Sequence, residues 1–212
     1  MKLTYITFAT LIIFSVSTLT AQQEYFEYGF KGGVNLSTIS GDVSSSVESK
    51  ASMNIGMYGL YKILPKLGIQ AELLYSEQGF TNEPVPTDQN IEKIEEVLRM
   101  QYINLPVLAS YNVVEYLWIE GGIQVGYLVD AELEEETVTI GDTGQVNSQT
   151  VTRGRKDNYK DLDVGLAGGL RYKLSQNFML QARYTQSLND IDEVTDGDQF
   201  NSIFSFSVGY IF

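Results

Sequence analysis

The sequence predicts an all-β protein: an eight-stranded antiparallel up-and-down transmembrane β-barrel with an N-terminal signal peptide. Three observations carry this reading. First, the closing stretch Phe200–Phe212 puts Phe204, Phe206, Val208, Tyr210 and Phe212 on one face, and that period of two is a strand with one greasy side. Second, the other alternating stretches are joined by connections that run long and short in turn, the loop-and-turn asymmetry of membrane barrels. Third, beyond the N-terminal segment no stretch is long and apolar enough to span a bilayer as a helix. A water-soluble strand with so many large exposed apolar residues would drive association. A lipid-facing strand has no such conflict.

Composition narrows the function classes. The 212 residues fit one domain. There is no Cys and no His, which removes disulfides, thiolate chemistry, imidazole ligands and imidazole bases. Acids outnumber bases 27 to 14, so phosphate-backbone binding has no electrostatic support and no nucleic-acid partner is expected. Charged residues reach only 19%, while Tyr stands at 14 and Gly at 19, a balance that suits many strands more than a soluble surface.

In chain order, residues 1–21 read as the signal peptide: a positive start at Lys2, an apolar run over Phe8–Val16 and a cleavage point after Ala21. Residues 22–212 form the barrel domain. Its strands are expected at Tyr25–Ser37, Met53–Ile63, Gly68–Phe80, Arg99–Tyr111, Tyr116–Ala131, Tyr159–Leu174, Phe178–Leu188 and Phe200–Phe212. Short turns fall at residues 64–67, 112–115 and 175–177. Long polar loops fall at 38–50, 81–98, 132–158 and 189–199, and the run IEKIEEVL over 91–98 reads as a turn or two of helix. Pro106 sits inside the fourth strand, where it cannot donate a ladder bond. With both termini on the short-turn side, the long loops lie together at the other end. Outer-membrane topology then makes the termini periplasmic and the loops extracellular. Aromatic residues fall near both ends of the apolar face, with Tyr28, Tyr61, Tyr111, Tyr172, Phe178 and Tyr210 toward the turns. Tyr75, Tyr127, Tyr184 and Phe200 lie toward the loops, as two membrane interfaces select.

Alternation alone does not say which face points out. A lipocalin also has eight strands, but it turns its apolar face inward around a ligand. Here the polar face interleaves Lys31, Glu72, Glu120, Asp163, Arg171 and Arg183 with many glycines. The narrow lumen of an eight-strand barrel requires small neighbours for long side chains, and mixed charges there can pair. We therefore expect a polar, plugged lumen and an apolar exterior. Those six residues are the candidate site, read as a hydrogen-bonded plug in preference to an ion or proton path. The terminal residues Phe212, Tyr210 and Val208 are the candidate assembly signal, read by the barrel assembly machinery during insertion.

The remaining candidates are weaker. The acidic run Glu132, Glu134, Glu135 and Glu136 lacks the spacing of a dedicated cation site and reads as a solvated loop. The glycine pairs at 32–33, 121–122 and 168–169 lie within strand patterns with no helix following, which excludes a phosphate loop. Catalysis without His would fall to carboxylates, and nothing in the spacing of Asp190, Asp192, Asp196 and Asp198 singles them out. No cofactor, metal or enzyme activity is expected.

The stretches FKGGVNLS (30–37), IQAELLYSEQG (69–79), YINLPVL (102–108), GGIQVGYL (121–128), DVGLAGGLRY (163–172) and ARYTQSLNDI (182–191), with the terminal strand, resemble the outer-membrane β-barrel domain of the PorT-like family of Bacteroidota. Ser187 stands where that family usually has Gly, and Pro106 is where its strand commonly carries Pro. The resemblance implies an eight-stranded outer-membrane barrel in contact with membrane lipid, with support for protein secretion or envelope assembly as its family-level role and other envelope or secretion proteins as partners. It carries over no functional residue. Two other classes stay open at this stage: a secreted lipocalin-like carrier of small ligands, and a loop-based outer-membrane enzyme.

Overall fold

Among the described residues the chain forms nine strands, in order: β1 (Phe26–Gly41), β2 (Val47–Leu64), β3 (Leu67–Asn82), β4 (Ile91–Val114), β5 (Leu117–Ile140), β6 (Val146–Gly154), β7 (Leu162–Lys173), β8 (Phe178–Ser187) and β9 (Gln199–Ile211). The computed structural model describes residues 25–41, 47–82, 91–140, 146–194 and 197–212; the signal peptide lies outside them. The hydrogen-bonded order is β4-β3-β2-β1-β9-β8-β7-β5-β6, and a β4–β5 pairing closes it. Eight strands thus form a ring, and β6 lies outside it on β5. Closure removes the open edges that a flat sheet would leave in lipid.

Two expectations are corrected. The 132–158 stretch is no loop: β5 runs on to Ile140 and pairs Glu132–Ile140 with β6. The 91–98 stretch is no helix: it is the start of β4, laddered to Thr139–Leu133 of β5. Its apolar spacing suits a helical turn, but the continuing β5 strand offers partners for its whole backbone, and such tertiary context overrides local preference. β4 and β5 each have 24 residues. At about 3.3 Å per residue they reach roughly 80 Å, far more than the ~30 Å apolar bilayer core needs even at a 45° tilt.

A bulge marks the change of level. The β4–β5 register slips between Gln101, opposite Asp130, and Tyr102, opposite Leu128, leaving Val129 extra. One extra residue turns the following side chains to the opposite face. Leu128 and Ala131 are accordingly both buried while Val129 is exposed. Below the bulge the interior is polar, with Lys31, Glu72, Glu120, Arg171 and Arg183 buried, and the exterior exposes Phe30, Met57, Leu73, Val107, Ile123 and Phe206. Above it the interior is an apolar core of Ile39, Leu98, Met100, Tyr102, Leu128, Ala131 and Ile191, with Val47, Phe80, Leu133 and Tyr159 against it. The faces below the bulge are the reverse of a lipocalin's, and the carrier reading fails there.

The seam joins β1 to β9. Phe30 lies opposite Tyr210, Val34 opposite Phe206 and Leu36 opposite Phe204, all on the outer face, as the alternation predicts. The Phe212 N–H donates to the Tyr28 carbonyl at 3.0 Å, so both ends of the described barrel lie at the turn end. Gly33 makes the seam possible: a Cβ there would sit 1.8 Å from the Phe206 carbonyl oxygen. This glycine serves close backbone approach, not room for a charged neighbour.

Candidate functional site

The candidate site is the buried charge chain in the lower lumen, and strand pairing builds it. Lys31 of β1 has Gly56 on one side and Gly209 on the other. Gly169 of β7 lies between Glu120 of β5 and Arg183 of β8. Small residues flanking long ones let the charged heads meet across a lumen only wide enough for side chains.

The chain of contacts is continuous. Lys31 Nζ lies 2.6 Å from Glu72 and donates to Gln181 at 2.5 Å. Arg183 grips Glu72 with both terminal nitrogens, at 2.8 and 2.6 Å, and reaches Glu120 at 3.2 Å. Arg171 bonds the same Glu120 at 3.1 Å and Glu27 at 2.5 Å, and its guanidinium stacks 4.9 Å from the Trp118 ring centroid. Lys173 completes the run by donating to Glu27. Gln181 adds a bond to Glu120 at 2.6 Å. Two-toothed guanidinium–carboxylate pairs are the strong form of this interaction. All but the partly exposed Lys173 are buried, so each charge depends on its partner.

Five of the six predicted residues meet: Lys31, Glu72, Glu120, Arg171 and Arg183. Asp163 does not. It is buried toward the loops and accepts a bond from Asn201 at 2.9 Å. Sequence reasoning left out Glu27, Lys173 and Gln181, although each shares the inward phase of a residue it named: Glu27 with Lys31, Lys173 with Arg171, and Gln181 with Arg183.

Chemically, the chain fills the lumen. Above it lies a neutral polar layer in which Asn35 receives Asn54 at 2.7 Å and donates to Ser76 at 3.0 Å, while Ser207 donates to Asn54 at 3.0 Å. A cavity of about 20 Å³ lies between the two layers, lined by Lys31, Arg183, Asn104 and Ser205 among others. That is room for about one water molecule. Larger hollows, of about 700 and 830 Å³, are lined mainly by outward-facing residues such as Phe30, Met57, Leu73, Tyr61 and Phe212.

The terminal residues occupy a different place. Phe212 packs on Tyr28, Phe30 and Tyr210 at centroid distances of 5.5, 5.6 and 5.3 Å, and Phe178 meets Tyr210 at 5.4 Å. Val208 lies further along the outward face, opposite Gly32 and Leu180. The candidate signal residues are therefore one aromatic patch with its apolar extension, straddling the seam on the outer surface.

The acidic groups near the loop end are tied into structure. Glu134 pairs with Arg99 at 2.9 Å and Glu135 with Arg153 at 3.1 Å, while Ser148 donates to Glu136 at 2.7 Å. Asp190 accepts from Lys160 at 2.5 Å and from the N–H groups of Gln199 and Asp192 at 2.9 and 3.1 Å. Burial works against its charge, but these donors hold its carboxyl below the usual range. Beside it, Tyr159 bridges to Asp192, and burial with the Asp192 charge pushes the phenol up to about 12. Asp196 lies outside the described residues.

Comparison with known protein families agrees with this architecture. The family model described as outer membrane protein beta-barrel domain matches residues 20–193. No curated protein matches the sequence. Among solved structures, the chain is similar to Ail, the attachment invasion locus protein of Yersinia pestis, at 14% identity and a TM-score of 0.47, covering 89% of this chain and 99% of that one. It is also similar to Neisserial surface protein A at 12% identity and a TM-score of 0.49, covering 87% and 97%. Acinetobacter baumannii CarO2 matches at 9% identity and a TM-score of 0.44, covering 88% and 99%.

Proposed function

The chain belongs to the outer membrane protein beta-barrel domain family, and from that premise we propose that it is a plugged barrel acting as a structural and interaction protein of the cell envelope. The observation that carries this reading is the unbroken ion-pair chain from Lys31 to Lys173. A conducting barrel needs continuous water-filled space, and eight strands packed with paired side chains leave none. The working surface is then the outside, above all the acidic strands and loops beyond the bilayer. In this proposal both termini are periplasmic, the extension of β4, β5 and β6 is extracellular, and the chain is a PorT-like protein that supports protein secretion or envelope assembly. No catalytic role is assigned: the sequence has no His and no Cys, and Asp190 spends its oxygens on loop bonds.

Crosslinking in intact cells followed by mass spectrometry tests the interaction role; reproducible envelope or secretion partners support it, and crosslinks to lipid alone contradict it. Liposome swelling tests the plug. The purified protein should pass sugars no faster than protein-free vesicles, and fast flux would remove the reading.

The proposal also gives Phe212, Tyr210 and Val208 the role of assembly signal. Deleting Phe212 removes its N–H bond to Tyr28 and three ring contacts at the seam. The heat-modifiable fraction of the truncated protein in membranes should fall several-fold. Normal assembly would mean that β9 is an ordinary strand.

A further inference from the structure

Strand β6 has a feature that barrels are built to avoid. Among the described residues it pairs on one side only, with β5. The pairing runs without a register shift over all nine residues, from Val146 opposite Ile140 to Gly154 opposite Glu132. Nearly every residue is exposed. Natural edge strands are usually blunted by proline, bulges, short length or repeated charge. The segment VNSQTVTRG has no proline, no bulge, a single charge at Arg153 and a length above the ~5–6 residues of a typical strand.

The neighbouring surface says what would fit. Cross-strand partners share a face. Glu136 is opposite Thr150, Glu134 opposite Thr152, and Glu95 of β4 opposite Glu136. One face therefore runs from an acidic row on β5 to a row of Ser148, Thr150 and Thr152 on β6, with Arg99 as its neighbouring cation. A fourth strand added to β6 would lie two strand spacings, about 10 Å, from the acidic row. Lys or Arg side chains on that strand are long enough to cross the low Ser/Thr row and reach the carboxylates. A second copy of this chain would bring β6 itself, whose single charge is Arg153, and no row of cations for these carboxylates.

We propose that β6 is a docking edge that takes up an extended, cationic segment of an extracellular partner as a further strand, with main-chain bonds supplying affinity and the Glu132, Glu134 and Glu136 row selecting Lys or Arg at alternate positions. This rests on the interaction role and orientation proposed above and names the partner's chemistry.

The test uses the full-length protein in lipid nanodiscs and two nine-residue labelled peptides of alternating Val and Thr/Lys or Thr/Glu. Fluorescence anisotropy should show the Lys peptide binding at least tenfold more tightly than the Glu peptide, with affinity falling as salt rises. Glu132→Gln/Glu134→Gln/Glu136→Gln should remove most of that preference. Along a strand, successive residues direct their N–H and C=O groups to opposite sides. One of Thr150→Pro and Val151→Pro therefore blocks the free edge while sparing the β5 ladder, and heat-modifiable migration confirms that the barrel is intact. That variant should lose binding. No binding by either peptide, binding unaffected by both proline variants, or self-association through β6 would each overturn the inference. Failure of the inference alone would leave the partner crosslinks in intact cells; failure of the broader role would remove those too.

Discussion

The two halves of this barrel follow opposite rules. Below the Val129 bulge the inside is charged and the outside is apolar; above it the inside is apolar and the outside is acidic. The backbone ladder between β4 and β5 continues through both. What changes is the surrounding solvent. In lipid a side chain gains nothing by leaving the surface, so the apolar residues face out and the lumen holds whatever fills it with its bonds satisfied. In water the hydrophobic effect returns, and Leu98, Met100 and Leu128 turn inward as in any soluble protein.

The contrast is sharpest where one residue is removed from each interior. Arg183→Ala in the lower half leaves Glu72 and Glu120 buried with part of their partnership gone, which costs about 3–5 kcal/mol. Urea titration in lipid vesicles should show it as a large loss of barrel stability, and Arg183→Lys should recover part. Met100→Ala in the upper half makes an ordinary core cavity worth about 2–5 kcal/mol. Its effect should concentrate above the bilayer, seen as faster amide exchange in Leu98–Tyr102 and Leu128–Leu133 with the lower seam, Phe30–Val34 against Phe206–Tyr210, unchanged. A uniform loss across both halves would merge the two regions into one cooperative unit.

The smallest effect is on pH. Donors at Lys160, Asp192 and Gln199 hold the Asp190 carboxyl below its usual range. Their stabilisation is fully present above the unfolded value of ~3.9 and is lost as pH falls through the folded one. Exchange at the Gln199 and Asp192 amides should therefore rise only below about pH 4. Asp190→Asn should flatten the profile.

The lower half was legible in sequence because it obeys one simple rule. Period-two alternation with a single polar phase located its strands, its outward ring and five members of the charge chain. Asp163 was misjudged because phase gives direction but not height: it points inward, one layer above the ion pairs, where its partner is Asn201. The upper half was not legible for two reasons. Solvent reverses the meaning of each face, so Met100 and Leu98 sat on the phase that reads as lumen. The bulge at Val129 then flips β5, so Ala131 and Leu133 keep the apolar phase of the sequence but point inward. The polar β6 segment carries no greasy face at all, and only its ladder to β5 makes it a strand.

Two valines test the central claim most directly. Val107 of β4 and Val146 of β6 are comparably open, at 47% and 61% exposure, but the account puts one in lipid and the other in water. Stability of Val107→Arg and Val146→Arg should be measured side by side in lipid vesicles. Val107→Arg should cost about 2–4 kcal/mol, as a charge on the lipid face does near the midplane, and Val146→Arg should stay within about 0.5 kcal/mol. Equal, small effects at both positions would mean that the apolar belt is not in a membrane, and the division of the barrel into two solvents would fall.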